Sequence, residues 1–235
     1  MPETRDRLII ALDVDSASQA QQIVRAVGES ASTFKVGKQL FIAEGPQIVR
    51  DLVSSGKKVF LDLKFHDIPN TVAAAVRQAC ALRVDMLTVH ASGGSKMLKT
   101  AAEAAGNNVL VLAVTVLTSL ADEDLSEIGV AGNVQAQVLT LAGLARASGI
   151  RGLVASAHEA RELRRELGDD FAIVTPGVRP AGAAKGDQVR VVTPADALRA
   201  GASHIVVGRP ISEAPDPAQA VREILGELEG VFQVR

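Results

Sequence analysis

The chain has 235 residues, of which 47% are hydrophobic and 22% are charged, so it can bury a large core and does not resemble a disordered or fibrous sequence. Its 25 basic and 27 acidic residues leave a formal net charge of -2, which provides no general attraction to nucleic acid or to an anionic membrane. The single cysteine excludes an internal disulfide, and the Cys and His residues lack the spacing of a structural zinc site. No apolar run approaches the ~18 residues of a membrane span and the charged N-terminus lacks a signal-peptide core, so we expect a soluble cytoplasmic protein.

Short β-branched runs alternate along the chain with Ala-, Leu-, Glu- and Arg-rich stretches of helical spacing. Eight runs predict strands, at 8–14, 34–38, 58–64, 86–91, 109–117, 152–157, 171–178 and 204–209. Capping residues and helical spacing predict helices at 16–28, 71–82, 133–149, 158–168 and 216–230. Apolar strands separated by helices are typical of a parallel sheet covered by helices. Eight such units predict a single α/β domain over residues 1–235, a (β/α)8 TIM barrel rather than an open doubly wound sheet.

Two predicted loops are longer than an ordinary connection. Residues 118–133 are predicted to carry a short extra helix over the barrel mouth. Residues 180–190 are rich in Gly, Ala and charge, which favours a mobile lid, although a surface loop without a role fits the composition equally well.

In this fold the active site is expected where the strands end, because the following loops converge there. The polar residues at the predicted ends are Asp13, Lys35, Asp62, Lys64, His90, Thr115, Thr118, Ser156, Arg179 and Arg209. Asp62 and Lys64 are two apart on one strand, so their side chains leave the same face. Lys35 on the neighbouring strand could lie beside Asp62, and Asp67 could approach Lys64 from the loop. A structural salt bridge at the rim is the alternative, but the crowding of charges favours a catalytic cluster.

Glycine turns followed by arginines end the last two predicted strands. Gly177 precedes Arg179, and Gly208 precedes Arg209. Barrel enzymes often bind phosphate between these two loops, where backbone N–H groups and a guanidinium converge. The pattern predicts a phosphorylated substrate, with Gln188 able to reach the same anion; the alternative is that these are ordinary rim and turn residues.

Other polar residues give weaker signals. His90 could polarise a substrate oxygen, but a histidine at a strand end is more often satisfied by its neighbours. The turn at 91–95, ASGGS, resembles a phosphate-binding turn, yet a helix cap explains it better. His66 and Asp67 are adjacent but lack the further carboxylates that a metal would need, so no metal site is predicted.

Six motifs in order, covering nearly the whole chain, resemble those of bacterial orotidine 5'-phosphate decarboxylases. The motifs are ALDV at 11–14, FKVG at 34–37, FLDLKFHDIPNT at 60–71, VTVLTS at 114–119, TPGVRP at 175–180 and VVGRPI at 206–211. The third motif is highly specific, whereas VVGRPI alone is shared by several phosphate-binding barrels. The resemblance implies a (β/α)8 barrel that converts orotidine monophosphate to uridine monophosphate in pyrimidine biosynthesis, without metal or organic cofactor.

The resemblance also implies a role for each matching residue at the reacting end of the substrate. Asp13 would hydrogen-bond the ribose, and Lys35 would lie between the ribose and Asp62. Asp62 would face the substrate carboxylate, and Lys64 would protonate the carbanion at C6. Asp67, together with Thr71, would enter the site of the neighbouring subunit and make a homodimer necessary for activity.

The remaining implied roles concern the base and the phosphate. Thr118 and Ser119 would flank the pyrimidine, and Pro176 would line its pocket. The residues implied to close on the phosphate are Arg179, Gln188, Gly208 and Arg209.

Two other functions fit part of the same pattern. Related barrel decarboxylases or aldolases act on a sugar phosphate through a magnesium-bound enediolate and share an Asp-x-Lys-x-x-Asp core, which Asp62, Lys64 and Asp67 also match. The continuation HDIPNT and the motif TPGVRP favour the nucleotide enzyme. A catalytically silent phosphate sensor on the same barrel is the second alternative, for which Lys35, Asp62 and Lys64 would have no purpose.

Overall fold

Eight parallel strands close into a barrel in the order in which they occur along the chain. This is seen in a computed structural model that describes residues 4–180 and 192–233. The strands are β1 Leu8–Ala11, β2 Thr33–Gly37, β3 Lys58–Phe65, β4 Met86–His90, β5 Leu110–Val114, β6 Gly152–Val154, β7 Ala172–Thr175 and β8 His204–Val207. The predicted (β/α)8 barrel is therefore confirmed.

Helices surround the barrel, and several begin at the capping residues that the sequence indicates. The helices are α1 Ala17–Val27, α2 Lys38–Glu44, α3 Gln47–Ser54, α4 Pro69–Ala81, α5 Gly94–Ala105, α6 Asp122–Glu127, α7 Val134–Ala147, α8 Ala157–Leu167, α9 Pro194–Arg199, α10 Arg209–Ser212 and α11 Pro217–Gln233. The side chains of Ser16 and Asn133 accept hydrogen bonds from the first turns of α1 and α7. All five predicted helices are present, and α6 is the extra helix predicted within 118–133.

Several strands are shorter than predicted. The run at 8–14 leaves the sheet at Ala11, the run at 109–117 at Val114, and the run at 171–178 at Thr175. Some apolar residues beyond these ends, such as Leu12 and Val178, stay buried in the loops, so the sequence pattern does not change where the strand stops. Ser156, predicted to end a strand, is instead the N-cap of α8.

The strands are buried on both faces, which explains why their sequences do not alternate. One set of side chains fills the barrel interior: Ile9, Ala11, Phe60, Leu112, Val174 and Val206. The alternate residues, among them Ile10, Phe34 and Val36, pack outward against the helices. Because side chains on a strand alternate, Phe60 on the inner face of β3 is followed inward by Asp62 at the C-terminal end. The charged side chains thus lie at the mouth of the barrel, above an apolar interior.

None of the described helices combines the length and the apolar character that crossing a lipid bilayer requires.

The floor of the barrel, at the N-terminal ends of the strands, contains a charged cluster around His204. This residue is only partly buried, but its Nδ1 atom is shielded and has no hydrogen-bond partner within the described part of the chain. Burial, followed by the positive charge of Arg7, lowers the pKa of His204 to about 4, while Asp6 opposes this shift. Asp6 is itself paired with Lys58 at 3.2 Å. His204 is therefore kept neutral in the folded protein under mildly acidic conditions.

We expect this histidine to make the protein sensitive to acid. Below about pH 6.5 the unfolded chain binds a proton at residue 204, whereas the folded chain does so only near the pKa of about 4, so stability falls as the pH decreases through this interval. The expected loss is about 3 kcal/mol of unfolding free energy. Denaturant titrations between about pH 4 and pH 7 measure it, and His204→Gln should flatten the dependence, whereas His158→Gln on the exposed face of α8 should not. Equal pH dependence of wild type and His204→Gln would contradict the expectation.

Candidate active site

Four charged side chains form a row of alternating sign at the barrel mouth. Lys35 Nζ lies 2.7 Å from Asp13 Oδ1 and 3.9 Å from Asp62 Oδ2. Lys64 Nζ lies 2.8 Å from each carboxylate oxygen of Asp62. The structure thus brings together the four residues that the sequence places at the ends of β1, β2 and β3.

The row is most enclosed at its centre. The side chains of Lys35 and Asp62 are 10% and 13% exposed, Lys64 is 25% exposed, and Asp13 at the outer end is 53% exposed. Little solvent screens the inner charges, so the free-energy cost of burying each charge is offset by the attraction of its oppositely charged neighbour. Such a row holds an ammonium group at a defined position, which is a requirement for proton delivery to one atom of a substrate.

The backbone around Lys64 departs from regular strand geometry. Lys64 has φ 55°, in the left-handed region that few residues other than glycine adopt. Its N–H donates to Thr88 Oγ1 at 2.9 Å, and the same hydroxyl donates to Asp62 Oδ1 at 2.9 Å. Sequence reasoning missed Thr88, although a polar residue inside the apolar strand MLTVH is a detectable signal.

A second residue missed in the sequence is Gly37, which ends β2. A Cβ atom there would lie 3.0 Å from both Asp13 Oδ1 and Lys35 Nζ. This is tighter than ordinary van der Waals contact, so a glycine leaves room for the Asp13–Lys35 ion pair.

Two adjoining cavities meet at this row. The larger, of about 510 Å³, is lined by charged groups that include Asp13, Arg179, Arg209 and Glu213, together with Gly208. The smaller, of about 160 Å³, is enclosed mainly by apolar side chains and also contains Lys64 and Thr118. The residues that line both cavities are Lys35, Asp62, Pro176 and Val206. A ligand spanning both would place an anionic group near the two arginines and an apolar group beside Lys64.

Two arginines, from the loops after β7 and β8, line the part of the larger cavity that would bind an anion. Arg179 is only 8% exposed, whereas Arg209, at the start of α10, is exposed. Burial lowers the pKa of Arg179, the charge of Arg209 lowers it further, and Glu213 opposes the shift. Two guanidinium groups whose positive charges repel each other across one cavity are typical of a site that binds an anion.

Other predicted residues lie elsewhere. Asp67 is exposed, its Oδ1 accepts the N–H of Ile68 at 2.6 Å, and within the described residues no ion pair joins it to Lys64. Thr71, on α4, and Ser119 are exposed as well, and neither lines the two cavities described above. Gln188 and most of the predicted lid at 180–190 lie outside the described residues.

His90 forms part of a histidine pair beside the site. Its ring centroid lies 5.3 Å from that of His66. Burial lowers the pKa of His90, and the nearby charges of His66 and Lys64 lower it further. A neutral imidazole beside Lys64 adds no second positive charge to the row.

Comparisons with known proteins agree with one another. A family model described as orotidine 5'-phosphate decarboxylase / HUMPS family matches residues 6–224. Curated relatives named orotidine 5'-phosphate decarboxylase include one from Alkalilimnicola ehrlichii, 52% identical over 96% of this chain and 97% of the relative. Another, from Moorella thermoacetica, is 51% identical over 97% of this chain and 94% of the relative.

Solved structures give the same result. The crystal structure of orotidine 5'-phosphate decarboxylase from Lactobacillus acidophilus has a TM-score of 0.85 and 40% identity, covering 95% of this chain and 99% of that chain. A conserved protein from Geobacillus kaustophilus, described as uncharacterized, has a TM-score of 0.82 and 34% identity, covering 94% of this chain and 99% of that chain. The chain therefore belongs to the orotidine 5'-phosphate decarboxylase / HUMPS family, as its sequence predicts.

Proposed function

We propose that this chain removes carbon dioxide from orotidine 5'-monophosphate to form uridine 5'-monophosphate in pyrimidine biosynthesis, without a cofactor. Its family membership supports the predicted enzyme class, a carboxy-lyase. The observation that carries the proposal is the alternating row Asp13, Lys35, Asp62 and Lys64 at the junction of an anion-binding cavity and an apolar one. A nucleotide matches these two cavities, because it has a phosphate at one end and a base at the other.

The phosphate end of the substrate fits the larger cavity. Arg179 and Arg209 provide the positive charge, and Gly208 allows the backbone to approach the anion closely. Gln188 is assigned to the same phosphate from the family resemblance. The ribose would lie against Asp13 and Lys35.

The pyrimidine fits the smaller cavity, whose walls include Pro176 and Thr118. Ser119, the next residue along the chain, is assigned to the edge of the base. This orientation directs C6 and its carboxylate toward the charges at the junction. Binding energy from the phosphate, far from C6, would serve to align the ring with those charges.

The chemistry requires stabilisation of a carbanion. When the bond between C6 and the carboxyl carbon breaks, its electron pair remains on C6, in the plane of the ring, where delocalisation into the π system is poor. A held ammonium at Lys64 stabilises this negative charge and then transfers a proton from Nζ to C6. The neutral amine regains its proton from solvent after carbon dioxide and product leave.

Asp62 would face the substrate carboxylate in the bound state. Its contacts with Lys35 at 3.9 Å and with Lys64 at 2.8 Å hold the carboxylate beside the substrate and hold Lys64 in place. We assign the main stabilisation to Lys64 rather than to repulsion between the two carboxylates.

We further propose a homodimer in which Asp67 and Thr71 complete the partner's site. Both residues are exposed at the mouth end of β3 and the start of α4. Ile68, between them, is 67% exposed, so an apolar side chain lies beside the two polar ones, as in an interface that combines apolar and polar contacts.

A single assay tests the proposed reaction. Purified protein should consume orotidine monophosphate, followed by ultraviolet absorbance, and the rate should be unchanged by a chelator. Loss of activity with chelator and its return with Mg²⁺ would instead favour the metal-dependent sugar-phosphate enzymes. Binding of the nucleotide without turnover would favour a phosphate sensor.

A further inference from the structure

Thr88 contacts Asp62 and Lys64, the last two residues of the charged row, although none of the six sequence motifs includes it. It is the middle residue of β4, its side chain is fully buried, and it shares the inner face of the strand with Met86. Its hydroxyl contacts Lys64 through the backbone N–H and Asp62 through Oδ1, each at 2.9 Å.

The direction of both hydrogen bonds is determined by chemistry. A backbone N–H can only donate, so the Thr88 oxygen accepts from Lys64. The hydroxyl has one proton, and an ionised carboxylate can only accept, so that proton is directed to Asp62. The hydroxyl therefore accepts the hydrogen bond from Lys64 and donates the one to Asp62 as long as the Asp62 carboxyl group is ionised.

The hydroxyl also replaces a missing strand contact. β3 and β4 pair at Leu61 with Leu87 and again at Phe65 with Val89, so the register shifts between the two pairs. Residues 62–64 of β3 therefore lie opposite the single residue Thr88 of β4. This bulge accompanies the left-handed backbone of Lys64, whose N–H is satisfied by the threonine side chain instead of a backbone carbonyl.

We infer that Thr88 is a positioning residue for the proposed decarboxylation: its hydroxyl holds Lys64 in the left-handed conformation and fixes the rotation of the Asp62 carboxylate, so that the ammonium is aimed at C6. The inference depends on the proposed function for its kinetic consequence, but its structural part does not. Thr88 acts through Asp62 and Lys64 and does not itself touch the reacting atoms.

Three variants test the kinetic consequence. Thr88→Val removes the hydroxyl while keeping the shape, Thr88→Ser keeps the hydroxyl, and Thr175→Val is the matched control. Thr175 is another fully buried strand threonine, and its Oγ1 has no hydrogen-bond partner in the part of the chain that the structure describes.

We expect Thr88→Val to lower kcat for orotidine monophosphate by about 10- to 100-fold, the loss associated with a hydrogen bond to a charged group. KM should change by less than about threefold, because the phosphate contacts are untouched. Thr88→Ser should regain most of kcat, and Thr175→Val should retain it. The inference is overturned if Thr88→Val keeps kcat within about twofold, if Ser and Val are equally impaired, or if Thr175→Val loses as much.

Crystal structures of wild type and Thr88→Val provide a readout that does not depend on activity. The variant should show Lys64 with a changed φ or its Nζ displaced from Asp62, whereas an unchanged Lys64 and Asp62 would overturn the inference. If the wild type fails to decarboxylate the nucleotide, the proposed function is wrong, and the crystallographic comparison still decides whether Thr88 positions the two residues.

Discussion

Replacing Lys64 with alanine is expected to reduce decarboxylation by about 10⁴-fold or more, since it removes both the proton donor and the positive charge beside C6. Binding of uridine monophosphate should remain detectable, because the arginines and the apolar cavity are unchanged. Single-turnover kinetics and calorimetric titration with uridine monophosphate would measure the two effects.

The matched control is Lys99→Ala, which removes a lysine that is 72% exposed on α5. It should leave turnover unchanged. Near-normal turnover in Lys64→Ala would refute the assignment of Lys64 as proton donor. Loss of both turnover and nucleotide binding would show that the residue is needed to form the site.

Replacing Asp67 with alanine is expected to impair turnover severely although this side chain makes no ion pair with Lys64 in the described structure of its own chain. The reason is the proposed contribution of Asp67 to the partner's site. Mixing this variant with Lys64→Ala under conditions that exchange subunits should restore activity. A hybrid dimer contains one doubly altered site and one intact site, so random exchange should return roughly a quarter of wild-type activity.

The control for this experiment is a mixture of Lys64→Ala and Asp62→Ala. Both residues belong to one chain's own site, as their 2.8 Å contact shows, so hybrids of these variants contain no intact site. No recovery in the first mixture, or equal recovery in both, would argue against a shared site.

The sequence was sufficient to predict the number, order and parallel arrangement of the strands. Each strand is an apolar run rich in β-branched residues, and most are followed by a stretch of helical spacing, a local pattern that is preserved in the fold. The helices between β2 and β3, between β4 and β5 and between β7 and β8 were not among the five predicted ones. Strand ends were less predictable. Leu12 follows β1 yet is fully buried, so burial continues after the strand hydrogen bonds have stopped.

Part of the candidate site also follows from the sequence. Asp62 and Lys64 share a face because strand side chains alternate, and Lys35 is adjacent because β2 pairs with β3, with Gly37 opposite Asp62. The contact of Asp13 with Lys35 likewise requires only neighbouring strands.

By itself, the sequence determined the barrel, its family and the residue types at its mouth, because these depend on local periodicity and on motifs of consecutive residues. Only the tertiary structure decided that Thr88 joins Lys64 to Asp62 and that Gly37 leaves space for an ion pair. These contacts depend on a register shift between two strands and on ångström-scale distances, which arise when separate segments pack together and have no counterpart in the order of residues.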